Sequence, residues 1–287
     1  MKILVAFVAC VAVAATLVAS SGADITKLTL SLSESSAYSY VSGTTLYYAA
    51  AGSNSGSFTV TATPKTDDGT DIDNVEFPAL FGSDALEVDD ANDGAYSRTY
   101  DWTASAADNG AKTVTATGTG VDETKDATFT VTADKTAPSG QTVSLSGGPG
   151  YATLSVPLLF DNGTDAGAGV DSSSGAVERA SATLVNGACG TFGSFAAIAL
   201  SGGTDTTVAT ANCYRYQYKI ADKVGNVSTA SAPSADARVD ATPPTTPSLS
   251  FGGLTNATAS GSVVYVRADR SHSDLLVPDG YSPSWRR

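Results

Sequence analysis

Acidic turns are the features of this sequence whose residue types and spacing best suit chemistry. One turn places Asp67, Asp71 and Asp73 close together along the chain. Calcium takes about six to eight oxygen ligands, often from alternating carboxylates. The turn lacks the spacing and the final glutamate of an EF-hand loop, and solvated turn acids explain the same pattern. We expect no obligatory cofactor, and we keep Ca²⁺ at these three residues as an alternative.

Catalytic groups are scarce in this chain. His272 is the single histidine, and it lies beside serines and Asp274 in the C-terminal tail. A catalytic histidine needs a nucleophile and an orienting group that packed elements hold in place. Carboxylates in solvated turns also lack the environment that raises the pKa of a glycosidase acid. We therefore predict no catalytic residues and a protein that is not an enzyme.

Aromatic residues offer a second kind of candidate site. Tyr47 and Tyr48 are adjacent, and neighbouring side chains on a strand point to opposite faces. One of the two should face outward, where a ring can stack on a sugar. Most other aromatic residues recur at strand spacing and are expected in the core.

Composition narrows the function classes further. The chain has 287 residues, a net charge of −13 and 16% charged residues. An acidic surface repels phosphate backbones, so we expect no nucleic-acid partner. The same charge favours a soluble monomer. A low charged fraction, with many small polar residues in its place, is typical of all-β extracellular proteins.

The N-terminus is typical of an export signal. Residues 1–23 contain Lys2, then an apolar run over Ile3–Val18, then small residues before Asp24. We predict a signal peptide over 1–23 with cleavage before Asp24, and a secreted or cell-surface protein. An uncleaved anchor is the alternative, but the run is shorter than the about 20 residues that span a bilayer. Cys10 lies within the run, which continues past it, so lipidation is disfavoured.

Two cysteines remain after the predicted cleavage. Cys189 and Cys213 form an even pair in an oxidising compartment, so we predict a disulfide between them. Two free thiols, or half of a metal site, are the alternatives.

A repeated linker divides the chain. The segment from Asp134 to Pro138 reads Asp-Lys-Thr-Ala-Pro, and it recurs as Asp240-Ala-Thr-Pro243-Pro244. Proline fixes the backbone and withholds a hydrogen-bond donor, which ends strands and stiffens linkers. We predict units over 24–134, 135–241 and 242–287, of which the last is too short for a complete repeat.

Within the units the hydrophobic period is two. Phe58, Val60 and Ala62 alternate with threonines, and Tyr214, Tyr216 and Tyr218 alternate with polar residues. This alternation predicts half-buried antiparallel strands. Units of about 100 residues with about seven strands and no long helix are typical of β-sandwiches.

Short motifs add a family resemblance. Besides the linkers, these are Gly167-Ala-Gly-Val170 and the turn Asp222-Lys-Val-Gly-Asn226. With them the chain resembles bacterial Ig-like and fibronectin-type-III-like repeats of secreted surface proteins. The resemblance implies an all-β fold of tandem Ig-like antiparallel β-sandwiches. The residues after the second linker are too few for a third sandwich, so we expect the third repeat to be incomplete, with an aberrant tail.

The predicted disulfide departs from the antibody type. Cys213 shares its parity with Arg215 and Lys219, on the face opposite the tyrosines. We therefore expect the bond to join neighbouring strands or a loop rather than two packed sheets.

The predicted function follows from these points. We expect an exported, non-enzymatic repeat protein that acts as a structural spacer or an adhesion module, with a protein or glycan partner at the cell surface. Two alternatives remain open. One is a polysaccharide-binding accessory module of a secreted hydrolase, and the other is a calcium-stiffened surface stalk.

Overall fold

The protein is all-β in every part of the chain that the structure describes. A computed structural model describes residues 25–66, 72–89, 96–118, 124–255 and 257–266, and it assigns strands and no helix to them. None of these residues forms a helix that is long and apolar enough to cross a membrane. The predicted signal peptide, Asp67, Asp71 and the tail with His272 lie outside the described residues.

The first group of strands forms two sheets. One has three strands in the order β1-β4-β7, and the other has six in the order β2-β3-β9-β8-β5-β6. We call them the first sheet pair. Its strands are β1 (Ile25–Glu34), β2 (Ser39–Ser42), β3 (Thr45–Tyr48), β4 (Gly56–Thr66), β5 (Ile72–Phe77), β6 (Leu86–Asp89), β7 (Tyr96–Trp102), β8 (Gly110–Gly118) and β9 (Thr124–Ala133).

The predicted alternation sets the two faces of β4. Phe58, Val60 and Ala62 are buried. On the other face, the hydroxyl oxygen of Thr59 lies 2.8 Å from the hydroxyl oxygen of Thr99 on the neighbouring strand β7. One apolar cluster, with members on both sheets, forms the core of the pair: Phe58 and Val60 of β4, Tyr100 of β7, Val114 of β8, and Phe129 and Val131 of β9 are among its members.

The second group of strands repeats this arrangement. A three-stranded sheet runs β10-β12-β16, and a six-stranded sheet runs β11-β18-β17-β13-β14 with β15 beside β13. These form the second sheet pair. Its strands are β10 (Thr142–Leu145), β11 (Gly150–Tyr151), β12 (Val156–Asp161), β13 (Ala176–Val185), β14 (Ala188–Cys189), β15 (Ala196–Ile198), β16 (Thr204–Asp205), β17 (Asn212–Lys219) and β18 (Ala237–Val239).

A separate apolar cluster forms the second core. Val143 and Val156 contribute from the small sheet, and Tyr214, Tyr216 and Tyr218 contribute from β17 of the large one. The tyrosine face predicted from the sequence therefore points inward.

The predicted disulfide is present and lies on the opposite face. Cys189 in β14 is bonded to Cys213 in β17, with a Cα–Cα distance of 5.7 Å. Both strands pair with β13, which runs between them. The bond thus joins two strands of one sheet, away from the tyrosine core, as the parity of Cys213 indicates.

The chain divides into two compact units, the first ending at Ala241 and the second beginning at Thr242. The first unit contains both sheet pairs. In the second, β19 (Ala257–Ser260) and β20 (Val263–Val266) form an antiparallel hairpin. Tyr265 is 61% exposed on this hairpin. The domain boundaries at 23, 134 and 241, and the incompleteness of the third repeat, stay predictions.

Candidate metal centre at the junction of the sheet pairs

The linker residue Asp134 is held by the first sheet pair. It directly follows β9, and its N–H donates to the carbonyl of Tyr48 at 2.8 Å. Its Oδ1 accepts a hydrogen bond from the N–H of Thr136 at 3.1 Å. The residue is only 4% exposed. A carboxylate from the end of the first pair is thereby fixed where the second pair begins.

The second linker starts with the same backbone contact. Asp240 follows β18, and its N–H donates to the carbonyl of Tyr151 at 2.9 Å. In both cases the tyrosine ends a short strand that runs parallel to the last strand of its sheet pair. The sequence repeat thus corresponds to a repeated structural element. Pro138 is buried, whereas Asp240, Pro243 and Pro244 are exposed.

A loop of the second sheet pair brings in a second carboxylate. Oδ2 of Asp165 accepts hydrogen bonds from the N–H groups of Gly167 at 3.0 Å and Gly169 at 2.8 Å. The N–H of Ala168, between them, donates to Oδ2 of Asp134 at 2.6 Å. A Cβ at position 167 would overlap the Asp134 carboxylate, so glycine is needed there for the two segments to meet.

The turn after β17 supplies the third carboxylate. Oδ1 of Asp222 accepts hydrogen bonds from the N–H groups of Val224 at 3.0 Å and Asn226 at 2.8 Å. Gly225 has a φ of 86°, a conformation that glycine adopts readily. The Asn226 side chain donates to Oδ2 of Asp222 at 2.7 Å and to the Asp134 carbonyl at 3.1 Å. This turn is therefore tied to the end of the first sheet pair.

The three aspartates form one cluster, which we call the acidic junction cluster. Asp134, Asp165 and Asp222 each place a carboxylate oxygen within 4.8 Å of the other two. Asp222 is 2% exposed and Asp165 is partly buried. Oδ1 of Asp165 is fully enclosed and accepts no hydrogen bond. Within the described ranges, the ion pairs between Lys or Arg and a carboxylate involve none of these three residues.

Burial dominates the electrostatics of Asp222, which is the least exposed residue of the cluster. Burial raises the pKa of Asp222. Hydrogen bonds from Asn226 and Val224 oppose the rise, the charge of Asp134 adds to it, and the net pKa is above the usual value. The cluster is thus a buried site of negative charge in need of a cation or a proton.

Apolar contacts complete the junction. Ala49 of the first pair packs with Ala168 and Val224 of the second, and Tyr40 and Tyr47 cover this cluster. The Tyr40 and Tyr47 rings stack with centroids 6.4 Å apart. The Nζ of Lys223 lies 4.4 Å above the Tyr40 ring, and it donates to the Tyr40 hydroxyl at 3.1 Å.

The predicted surface aromatics divide between two environments. Tyr47 is partly buried at the junction. Tyr48 is fully buried, which excludes it as a surface aromatic and leaves Tyr47 as the outward member of the adjacent pair. It packs against Trp102 at 5.4 Å, its hydroxyl donates to the carbonyl of Asp108 at 2.7 Å, and burial raises its pKa to about 12. The strand alternation indicates this burial, because Tyr48 lies two residues after the core residue Leu46 and therefore on the same face of the strand.

The predicted calcium turn is only partly described. Asp73 is exposed, and its Oδ2 lies 3.4 Å from the Asn74 side-chain nitrogen. Asp67 and Asp71 lie outside the described residues, so Ca²⁺ at that turn stays a prediction. The acidic cluster found in the structure is a different one, and sequence reasoning did not identify it as a site.

Comparison with known proteins does not assign the chain to a family. No family model matches the chain, and no curated protein matches it. Among solved structures, a fragment of titin is 13% identical, with 64% of this chain and 59% of the fragment covered and a TM-score of 0.31. A mutant of Salmonella alpha-2-macroglobulin is 12% identical, with 77% of this chain and 15% of the macroglobulin covered and a TM-score of 0.28. The chain thus spans less than two thirds of either protein.

Proposed function

We propose that the protein is an exported, non-enzymatic repeat protein that serves as a structural spacer or interaction module at the cell surface. In this proposal each sheet pair is an Ig-like β-sandwich. One observation carries it: the two sheet pairs belong to a single compact unit and meet through a built junction. A spacer needs fixed geometry between its repeats, and the contacts at this junction support that proposal.

The junction combines several independent contacts. Ala49, Ala168 and Val224 are buried together, which removes apolar surface from water on both sides. Asn226 crosses from the second pair to the Asp134 carbonyl at 3.1 Å. Lys223 crosses to the Tyr40 ring. Relative motion is the default between domains unless their interface is large and hydrophobic, so the rigidity of this junction depends on these contacts acting together.

The polysaccharide-binding alternative is less well supported. It requires exposed aromatic rings that lie together, but Tyr48 is fully buried and Trp102 is 1% exposed, and the exposed Tyr38 and Tyr265 belong to different compact units. Tyr47 stacks on Tyr40 at the junction. An interaction site is better placed on the loops between strands, which vary without disturbing the cores.

One cavity lies beside the first core. It has a volume of about 280 Å³, and Phe81, Asp101, Thr103 and Asp108 are among the residues that line it. The Asp108 carboxylate accepts hydrogen bonds from the N–H of Phe81 at 2.7 Å and from Lys112 at 3.0 Å. Burial raises its pKa, but these partners lower it more, so the net pKa is lowered. An acid that is held ionised in this way suits loop anchoring better than proton transfer.

Small-angle X-ray scattering of the full chain tests the fixed geometry. Val224→Asp places a charge in the apolar part of the junction, and Val227→Asp is the matched control on the same turn, at a residue that is 62% exposed. We expect the control to scatter like the wild type and Val224→Asp to give a broader distribution of dimensions. A wild type as broad as Val224→Asp would contradict the proposal. Circular dichroism checks that both variants keep their strands.

Export is tested separately. Expression of the full gene in a bacterial host, followed by N-terminal sequencing of the released or surface-bound chain, should give a mature protein that begins at Asp24. A chain that stays in the cytoplasm with Met1 intact would contradict the proposed location.

A further inference from the structure

We propose that the acidic junction cluster is a Ca²⁺ site whose ion bridges the two sheet pairs. Asp134 supplies a ligand from the end of the first pair, and Asp165 and Asp222 supply ligands from loops of the second. The inference goes beyond the proposed function, because a spacer needs a stiff junction but does not by itself need a cation.

The spacing of the carboxylates suits this ion. Their oxygens lie within 4.8 Å of one another. Two oxygens bound to the same Ca²⁺ are at most about 5 Å apart, because Ca–O bonds are about 2.3–2.6 Å long. Magnesium demands a near-ideal octahedral geometry and loses its water ligands reluctantly, so carboxylates from three separate segments suit Ca²⁺ better. Backbone carbonyls and water complete the coordination of Ca²⁺ in many protein sites.

A second observation is independent of the clustering. Oδ1 of Asp165 is fully enclosed and has no hydrogen-bond partner, although Oδ2 of the same carboxylate accepts two backbone N–H groups. Only one other enclosed side-chain nitrogen or oxygen of the described residues, Nε1 of Trp102, is without a partner. A buried acceptor without a donor is costly, and a bound cation removes that cost.

Among the residues that the structure describes, no Lys or Arg forms an ion pair with the cluster. Lys223 lies on the same turn as Asp222, but its ammonium group is placed over the Tyr40 ring. Asp134 and Asp222 are 4% and 2% exposed, so water screens their repulsion poorly. A divalent cation offsets most of the charge of three carboxylates at once.

The position of the ligands determines what the ion does. Because Asp134 is fixed to the first pair by Tyr48 and Asp222 is fixed to the second, binding requires the two pairs in their observed arrangement. An ion that binds only this arrangement stabilises it by mass action. The junction is then stiffened by Ca²⁺, which corresponds to the calcium-stiffened stalk left open by the sequence.

Calorimetric titration of the EDTA-treated full chain with CaCl₂ tests the site. Asp165→Asn keeps an oxygen acceptor for the Gly167 and Gly169 N–H groups but removes the charge. Asp161→Asn is the matched control, because Asp161 also accepts a hydrogen bond from a glycine two residues later, at 2.8 Å, but lies outside the cluster. We expect the wild type and Asp161→Asn to bind alike, and Asp165→Asn to lose at least about tenfold in affinity, since a charged ligand is removed from the site.

Thermal unfolding in CaCl₂, in MgCl₂ and in EDTA is the second readout. The wild type and Asp161→Asn should melt higher in CaCl₂ than in EDTA, with a smaller rise in MgCl₂, and Asp165→Asn should show little rise. Gly167→Ala, which displaces the Asp134 carboxylate without a change in charge, should behave like Asp165→Asn.

Three results would overturn the inference. The first is a wild type that gives no heat on Ca²⁺ titration and no change in melting temperature. The second is an Asp165→Asn variant that binds Ca²⁺ as tightly as the wild type. The third is an Asp161→Asn variant that loses as much Ca²⁺ affinity as Asp165→Asn. A chain that binds no Ca²⁺ yet keeps a narrow scattering distribution would overturn this inference and leave the proposed function intact.

Discussion

Two buried aspartates in this protein have opposite surroundings. Asp205, inside the second sheet pair, is fully buried and accepts hydrogen bonds from Arg179 at 2.7 Å, Thr207 at 2.9 Å and Tyr216 at 3.0 Å. Asp222, at the junction, accepts hydrogen bonds only from uncharged groups among the partners described above, and it lies beside two further carboxylates.

The pKa values of the two residues differ accordingly. Burial raises the pKa of Asp205, but hydrogen bonds from Arg179 and Thr207 outweigh it, so the net pKa is lowered. For Asp222 the same kind of burial prevails, and the net pKa is raised. The two residues differ in that Asp205 has a charged partner, Arg179, and Asp222 has only uncharged ones among its hydrogen-bond donors. Buried acids without a countercharge occur more often at functional sites than buried acids that are paired.

Removal of the countercharge from Asp205 should have the largest effect. Arg179→Met leaves a buried carboxylate unpaired, and we expect a loss of about 3–5 kcal/mol in the free energy of unfolding. Arg215→Met is the control, since the Arg215–Asp236 pair is 42% and 26% exposed, and it should cost less than about 1 kcal/mol. Urea denaturation measures both. Equal losses of unfolding free energy in the two variants would contradict the claim that Arg179 is needed to balance the buried charge of Asp205.

Removal of the disulfide should have the next largest effect. Cys189 and Cys213 are separated by 24 residues, and a double change to serine should cost about 3 kcal/mol in the chain-entropy account. The bond lies within one sheet of the second pair, so the variant should melt lower yet keep its Ca²⁺ affinity. A large loss of Ca²⁺ affinity would contradict this expectation, because it would show that the junction site depends on the disulfide within the second sheet pair.

A change at Gly167 should affect the junction alone. Gly167→Ala forces a Cβ into the Asp134 carboxylate, and we expect a loss of about 2 kcal/mol from overpacking. Gly150→Ala is the matched control, because no atom lies within 4 Å of a Cβ built there. Denaturation of both variants in EDTA separates packing from cation binding. An unchanged Gly167→Ala variant would show that the two loops do not meet as described.

The pH dependence of Asp205 should give the smallest effect. Its lowered folded-state pKa means that its stabilising contribution is fully present above the unfolded-state value of about 3.9. The contribution is then lost as the pH falls through the lowered folded-state pKa. Melting temperatures of the wild type should therefore fall more steeply with acid, below about pH 4, than those of Asp205→Asn. Parallel curves would contradict the assigned charge state.

The sequence predicted the strands well and the site poorly. Alternation around Phe58 and Tyr216 indicates which face of each strand is buried, because a strand has only two faces. The cysteine count indicates the disulfide for a similarly local reason. Asp134, Asp165 and Asp222 are distant in sequence, and their meeting depends on how two loops of the second pair close on the end of the first. No periodicity encodes that contact.

The motifs nevertheless contained part of the answer. Asp134 and Asp222 stand in the short segments that carry the family resemblance, and Gly167 stands in another. Only the structure shows that the three segments meet, and that the missing side chain of Gly167 makes room for the Asp134 carboxylate. The turn with Asp67 and Asp71 has more acidic residues close together in sequence, so the sequence alone predicted a Ca²⁺ site at that turn.

A crystal structure of the full chain grown in CaCl₂ would show directly whether Ca²⁺ binds at the acidic junction cluster. We expect a calcium peak, confirmed by anomalous scattering, about 2.3–2.6 Å from carboxylate oxygens of Asp134, Asp165 and Asp222. We also expect that Oδ1 of Asp165 gains a partner. Carboxylates that instead share protons or face only water in saturating CaCl₂ would contradict the claim that a cation balances this junction.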